Sequence, residues 1–270
     1  MPAPHTTYVI CATPRSGSHL LAEAFQITGV AGNPDEYFIV NKAGQLENKQ
    51  GNIASLYGKQ PLESFHQLVL SLGSTPNGVF GIIIQWDYLH HIFTNFRTLP
   101  QYKDLSDRAL LDVLFYNPKY IWLQRRDKVR QAISWIKAHQ TGEWGLEKDQ
   151  IVQSHLDASL TYDFHLIDEN VERFVNAEKA WESFFLTNQI EPFVVVYEVL
   201  TRSFEETSLA LLDHLGIPHP QEINFENRKW QKQANALNDA WAKKYRWQKR
   251  SFAHRVLRYL SYLRVRFLSS

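Results

Sequence analysis

The 270-residue sequence is poor in cysteine, and Cys11 is its single one. One thiol excludes an intrachain disulfide framework and a metal site built from several cysteines, which favours a reducing compartment. No apolar run reaches the roughly 20 residues that span a bilayer. Residues 1–7 also lack the basic and apolar segments of a signal peptide. Because these features are missing, we expect a cytoplasmic protein. The length of 270 residues suits one large α/β domain, or one domain with a small lobe added.

Acidic residues are missing from the C-terminal segment 243–270, which carries nine Lys or Arg. The formal net charge is only +1, so the remainder of the chain has 20 basic and 28 acidic residues and a net charge of −8. An acidic body argues against general nucleic-acid binding. An anionic ligand must therefore be bound by local positive charge.

Short apolar runs alternate with helical patterns along the chain. This alternation predicts right-handed crossovers and a mostly parallel sheet, whose ligands bind beyond the carboxyl ends of the strands. Irregular loops are expected over residues 36–61 and 140–165. The predicted strands are residues 8–13, 79–85, 120–124 and 193–197, and the predicted helices are residues 19–28, 62–72, 108–115, 128–139, 171–187 and 204–215.

A turn of small residues follows the first predicted strand and opens the first predicted helix. Its sequence is TPRSGSH, residues 13–19, and such a turn directs backbone N–H groups and the helix dipole at an anion. Compared with the nucleotide-hydrolase loop, Ser18 replaces the lysine and His19 replaces the magnesium-binding hydroxyl. Arg15 supplies the positive charge that the lysine gives in the nucleotide-hydrolase loop. The turn therefore predicts a phosphate site used without a metal, although an ordinary strand-to-helix turn with an exposed arginine is the alternative.

A second cluster of this kind follows the predicted strand 120–124. Arg126 stands at the strand end, and Ser134 lies eight residues later in the next predicted helix. An arginine and a hydroxyl together suit a phosphate group. Two anion sites on neighbouring strand ends predict a ligand with two separate phosphates, whereas surface charge beside a solvated serine is the alternative.

With these residues, the chain resembles bacterial PAPS-dependent sulfotransferases, specifically the trehalose 2-sulfotransferase-like family. The resemblance implies a P-loop NTPase-like sulfotransferase fold over residues 1–246. The charge and apolar spacing of the remaining residues, 247–270, predict a basic amphipathic helix or tail. The resemblance is carried by CATPRSGSHLL (11–21), GVAGNPDEYF (29–38), NGVFG followed by Trp86, QRRDKVRQAISWIKAHQTGEW (124–144) and KWQKQANALNDAWAKKYR (229–246).

The resemblance also implies roles for individual residues. Glu36 is expected to be the general base, and Arg126 and Ser134 the pair that binds the 3′-phosphate of PAPS. Arg15 is expected to take part in catalysis and to bind the donor. The residues expected to hold the 5′-phosphosulfate group are Arg15, Ser16, Gly17, Ser18 and His19.

The same resemblance predicts a homodimer, no metal, and a carbohydrate or glycolipid acceptor. Two positions depart from the family pattern. Ile83 stands where relatives carry a lysine, and His19 stands where threonine or serine is common. The acceptor sugar and its hydroxyl are not determined by the sequence.

Other interpretations stay open on the residues alone. A magnesium-dependent nucleotide kinase is one alternative function, and a nucleotide-binding module without activity is another. Asp35 is the nearest rival of Glu36 as a base. Three histidines are further candidates, His66, His90 and His91.

The basic tail has two interpretations. In helical register, one face carries apolar residues while most arginines lie off it, which is the pattern of a helix on an anionic membrane. A terminal helix packed on the acidic body or across a dimer is the alternative. The apolar face is Phe252, Val256, Leu260, Leu263 and Phe267.

Overall fold

The computed structural model describes residues 3–40, 46–47, 61–145, 160–220, 222–228 and 235–251. The chain forms two compact units. Unit 1 comprises Met1–Arg126 and Val175–Trp230, and unit 2 comprises Asp127–Phe174 and Gln231–Ser270.

Unit 1 is built on a four-stranded parallel sheet. Its strands are β1 (Thr6–Ala12), β4 (Val79–Gln85), β5 (Lys119–Gln124) and β6 (Phe193–Val196), in the order β4-β1-β5-β6. Two short strands, β2 (Ile39–Val40) and β3 (Leu46–Glu47), pair separately and antiparallel. The parallel sheet confirms the predicted α/β architecture.

Strand β1 is apolar on both faces because both faces are covered. Tyr8, Ile10 and Ala12 belong to one apolar core, while Val9 and Cys11 belong to the other. This alternation follows from the two-residue period of a strand.

Helices cover the sheet of unit 1 on both faces. Residues of α1 (Ser18–Thr28) and α8 (Phe204–Leu215) pack in the core that contains Ile10. Residues of three other helices pack in the core that contains Val9, namely α2 (Leu62–Gly73), α3 (Trp86–Phe96) and α4 (Asp107–Leu114). One further turn of helix, α7 (Tyr197–Leu200), directly follows β6, and two 3₁₀ turns cover Pro100–Tyr102 and Phe225–Asn227.

Unit 2 is helical in its described part. It contains α5 (Lys128–Thr141), the first part of α6 (Phe164–Thr187), and α9 over residues 236–251. The remainder of α6, from Val175, belongs to unit 1. The apolar core of unit 2 consists of Ala132, Ile133, Ile136, Ile167, Phe174, Trp241, Ala242 and Tyr245.

The structure departs from the predicted elements at several points. Helix α3 was not expected, Tyr197 begins a helix instead of ending a strand, and α6 starts at Phe164 instead of Val171. The boundary predicted between residues 246 and 247 lies within α9 and stays a prediction, because the tail beyond residue 251 is outside the described residues. The tail from residue 252 and much of the predicted loops lie outside the described residues.

Candidate active site

The loop between β1 and α1 has the backbone shape of an anion cradle. Ser16 N donates to Thr13 O (3.1 Å), and α1 starts at once with Leu21 N donating to Gly17 O (3.1 Å). Arg15 and Gly17 both have positive φ, 62° and 102°. A Cβ on Gly17 would lie 2.5 Å from Cδ2 of Tyr197, so both the φ angle and the packing require glycine.

A buried arginine directly after β5 holds this loop in place. Arg125 is 9% exposed, and its Nη1 donates to the carbonyl of Arg15 (2.8 Å). Its guanidinium lies 4.5 Å from the ring centroid of Tyr197, the residue that packs against Gly17. Arg125 therefore stabilises the left-handed conformation of Arg15, which is strained for a residue with a side chain.

Positive charge is concentrated at this loop. Burial, and secondarily the charge of Arg125, lowers the pKa of Arg15 to about 10, against the opposing influence of Tyr197 and Glu36. Two carboxylates lie close to the backbone there: Glu178 accepts from Arg125 N (3.2 Å) and Glu198 accepts from Arg126 N (3.1 Å). Because two neighbouring guanidiniums repel each other, an anion between them lowers the free energy of the site.

The segment after α1 returns to the sheet and docks on β4. Asn33 N donates to Gly73 O (2.9 Å), and Ile83 N donates to Asp35 O (3.0 Å). Gly32 turns the chain with φ 78°, and a Cβ there would lie 2.9 Å from Gly81 N. The segment thus returns toward the carboxyl ends of the strands.

This docking places Glu36 beside the start of α1. Its side chain is 7% exposed, its Oε1 accepts from Gln85 Nε2 (2.9 Å), and His19 Nε2 lies 3.2 Å from the same oxygen. Asp35 differs, since its side chain is 45% exposed and its Oδ1 accepts from Glu36 N (2.7 Å). Of these two acids, Glu36 is thus the one buried next to the cradle.

Two buried polar atoms of the site have no hydrogen-bond partner among the residues that the structure describes. They are Ser16 Oγ in the loop and Gln85 Oε1 at the end of β4. A buried polar atom without a partner costs about 1–3 kcal/mol, and such atoms in native proteins need an explanation. A polar ligand at the site would provide one.

The structure brings together only part of the predicted site. The loop from Arg15 to His19 and Glu36 lie together in unit 1, and Arg126 lies exposed at the end of β5 in the same unit. Ser134 lies on α5 in unit 2. Its pairing with Arg126 therefore stays a prediction.

The histidines considered as alternative bases lie on two helices. His66 is buried between Phe96 and Phe115, with Nε2 2.8 Å from Leu114 O, and burial lowers its pKa. It is a core histidine. His90 and His91 lie on α3 with their rings 5.9 Å apart. Ile83 is also buried in the core, so its departure from the family pattern is accommodated by apolar packing.

Sequence reasoning missed Arg125, Gln85 and Tyr197. All three stand at or directly after the carboxyl end of a parallel strand, where ligands of such sheets bind. Strand position was the signal that could have identified them.

The described residues show neither a cluster of metal ligands nor a membrane-spanning helix. In those ranges, no group of three or more His, Cys, Asp or Glu is arranged to hold a metal ion. Nor does that part of the chain contain a helix both long and apolar enough to cross a bilayer.

Comparison with known proteins gives a consistent result. The family model described as Stf0 sulphotransferase matches residues 7–248. The chain is 29% identical to the trehalose 2-sulfotransferase of Mycolicibacterium smegmatis, over 89% of this chain and 94% of that protein. It is 28% identical to the trehalose 2-sulfotransferase of Mycobacterium tuberculosis, over 88% and 94%.

Two solved structures share 15% identity with the chain. One is the sulfotransferase domain of the Synechococcus PCC 7002 olefin synthase, which has a TM-score of 0.42 and a coverage of 89% of this chain and 88% of that one. The other is a sulfotransferase domain from the curacin biosynthetic pathway, with a TM-score of 0.39 and coverage of 88% and 83%.

Proposed function

Because the chain belongs to the Stf0 sulfotransferase family, we propose that it transfers a sulfonate group from PAPS to a hydroxyl of a carbohydrate. The observation that carries the proposal is the buried carboxylate of Glu36 beside the start of α1, next to a cationic cradle. A base and an anion site in contact are what a hydroxyl-directed transfer from an anionic donor needs.

The cradle fits the 5′-phosphosulfate end of PAPS. Gly17, with its left-handed backbone, has no side chain to obstruct the loop, and the buried Ser16 Oγ lacks a partner among the described residues. Ser16, Gly17, Ser18 and His19 would bind the donor, with Arg15 providing positive charge. When bound, PAPS supplies an activated sulfonate group.

The 3′-phosphate is assigned to Arg126 and Ser134. The support is the spacing of eight residues, the exposed position of Arg126 at the end of β5, and the family membership. A guanidinium and a hydroxyl both donate to phosphate oxygens.

In the proposed reaction, the acceptor hydroxyl oxygen forms a bond to sulfur while the bond from sulfur to the phosphate oxygen breaks. The electron pair of the broken bond stays on that phosphate oxygen, and Arg15 and the loop N–H groups stabilise the negative charge that develops there. Glu36 takes the hydroxyl proton. As in phosphoryl transfer, positioning and electrostatics are expected to dominate.

A sugar acceptor is supported by the relatives, which are named trehalose 2-sulfotransferases. We take trehalose as the first acceptor to test, and a glycolipid that carries the same sugar as the second. A homodimer in the cytoplasm remains part of the proposal.

The decisive experiment is single-turnover transfer from PAPS to trehalose, followed by the mass gain of one sulfonate. Glu36→Gln keeps the shape and removes the basicity, so its rate is expected to fall about 10²–10⁴-fold, while binding of the product nucleotide persists. Asp35→Asn is the matched control, because Asp35 is more exposed and adjacent; its rate should stay within a few-fold of wild type.

Three outcomes would contradict the proposal. A near wild-type rate for Glu36→Gln would exclude this residue as the base. Transfer of phosphate from ATP with Mg²⁺, without any sulfonate transfer, would support the nucleotide kinase instead. Nucleotide binding without transfer to any sugar would support a binding module.

A further inference from the structure

Gln85 is a buried polar residue that contacts Glu36. It ends β4, and its side chain belongs to the face of the strand that also carries Ile83. The residue is 2% exposed. A fully buried carboxamide needs partners at both ends, since it carries two donors and one acceptor oxygen.

The amide nitrogen of Gln85 has its partners. Nε2 donates to Glu36 Oε1 at 2.9 Å and to Ser18 Oγ at 3.4 Å, so it links the base to the first residue of α1. Because a carboxylate can only accept, this contact also fixes which end of the amide is nitrogen.

The amide oxygen of Gln85 is different. Among the described residues, no donor lies within hydrogen-bond distance of Oε1, although the atom is buried. It belongs to the same planar group that contacts Glu36, so a donor bound to it would lie next to the carboxylate. The acceptor of the proposed reaction is a molecule with several hydroxyl donors.

We infer that Gln85 acts at both ends of its amide: Nε2 orients the carboxylate of Glu36, and Oε1 accepts a hydrogen bond from a hydroxyl of the acceptor sugar. This rests on the proposed function. It makes Gln85 a positioning residue for the base and a determinant of preference for acceptors with more than one hydroxyl group.

The charged groups that face Glu36 matter for the test, because they too affect its titration. They are Arg15 in the loop, His19 on α1 and Asp35 on the same segment as Glu36. None of them is altered by a substitution at position 85. A hydrogen bond to the ionised form lowers the pKa of a carboxyl group, so removing the amide donor should raise the pKa of Glu36.

The experiment compares Gln85→Met and Gln85→Glu with wild type, using PAPS and trehalose. Gln85→Met loses both ends of the amide, so kcat should fall roughly tenfold to a hundredfold, the trehalose KM should rise, and the acid limb of the pH–rate profile should move to higher pH. Gln85→Glu keeps an oxygen for the sugar, loses the amide donor to Glu36 and adds a second carboxyl group beside it, and both changes raise the pKa of Glu36. It should shift the acid limb while leaving the trehalose KM within about threefold of wild type.

Gln26→Met is the matched control. Gln26 Nε2 donates to Pro34 O (3.2 Å), so this variant weakens the same segment without touching Glu36. If Gln26→Met reproduces the shifted acid limb of Gln85→Met, the role of Gln85 is only structural and the inference is wrong. Binding of the product nucleotide is measured for every variant as a test of folding. If Gln85→Met does not bind it, the acid limb and trehalose KM of Gln85→Glu decide whether the inference holds.

Failure of the inference can be told from failure of the proposed function. If wild type transfers sulfonate and Glu36→Gln does not, but Gln85→Met keeps the wild-type kcat, KM and acid limb, only the role of Gln85 is wrong. If wild type transfers nothing from PAPS, or Glu36→Gln is fully active, the proposed function itself is wrong.

Discussion

At the scale of single residues, the loop after β1 depends on side chains that come from later strands. Arg125 binds the carbonyl of Arg15, and the ring of Tyr197 fills the space beside Gly17. Neither residue was among the predicted site residues, because both are distant from the loop in sequence: Arg125 and Arg15 are 110 positions apart. The local sequence motif identifies the loop itself, whereas Arg125 and Tyr197 are identified as its contacts only from the folded structure.

The assignment of Arg126 and Ser134 to a 3′-phosphate leads to a prediction about donor binding. Arg126→Ala removes a charge-assisted contact of roughly 1.5–3 kcal/mol, so the Kd for 3′-phosphoadenosine 5′-phosphate should rise about tenfold or more. Isothermal titration in the absence of metal measures it. Arg108→Ala is the control, because Arg108 pairs with Asp112 on α4 (2.8 Å). Unchanged binding by the double variant Arg126→Ala, Ser134→Ala would show the assignment to be mistaken.

At the scale of helices and strands, the predictable elements are those with strong periodicity. All four strands of the parallel sheet lie where apolar runs predict them. Helix α3 was missed although Leu89, Ile92, Phe93 and Phe96 are buried at helical spacing. It follows β4 without a loop and is rich in aromatic residues, which are weak helix formers, so no boundary signal separates it from the strand.

Helix α9 is joined to α6 within unit 2 by one acidic group. Asp168 accepts from Lys249 Nζ (2.5 and 2.7 Å) and from Tyr245 Oη. Burial alone would raise the pKa of Asp168, but the hydrogen bonds from Lys249 and Tyr245 outweigh it, so the pKa is lowered. The contribution to stability is therefore present above the unfolded-state pKa of about 3.9 and is lost as the pH falls through the folded-state pKa.

This ionic contact makes the acid sensitivity of unit 2 testable. Asp168→Asn should lower Tm at pH 7 by a few degrees, on the scale of about 2–4 °C per kcal/mol, and the difference from wild type should shrink below pH 4. Calorimetry across this pH range measures it. Glu169→Gln, an exposed neighbour on the same helix, should change little. A difference that grows toward low pH would contradict the stated sign.

At the scale of the whole molecule, the parallel sheet explains why residues far apart in sequence form one site. Glu36 and Gln85 are 49 positions apart and meet because the segment after α1 docks on β4. Because ligands of parallel sheets bind beyond the carboxyl ends of the strands, the sequence predicted the edge of the sheet at which the site lies. It could not identify Gln85, because the docking segment lacks the periodicity from which its register could be derived.

The basic tail belongs to this scale too. The membrane interpretation predicts that the full chain co-sediments with vesicles containing phosphatidylserine, less so at high salt, and that a truncation after Arg250 does not. Residues 252–270 lie outside the described residues, so the truncation leaves the described part of α9 almost intact. Equal pelleting of both chains would contradict membrane binding and favour the packed helix.

The docking of residues 33–36 on β4 has a second consequence, which concerns solubility. Strands β4 and β6 are the edges of the described sheet, and an open edge strand can pair with another chain and aggregate. Along β4, Thr75 N donates to Val79 O and Ile83 N donates to Asp35 O, so part of the edge is already occupied. The segment that carries Glu36 thus also shields the sheet, and substitutions that release it are expected to reduce activity and promote aggregation together.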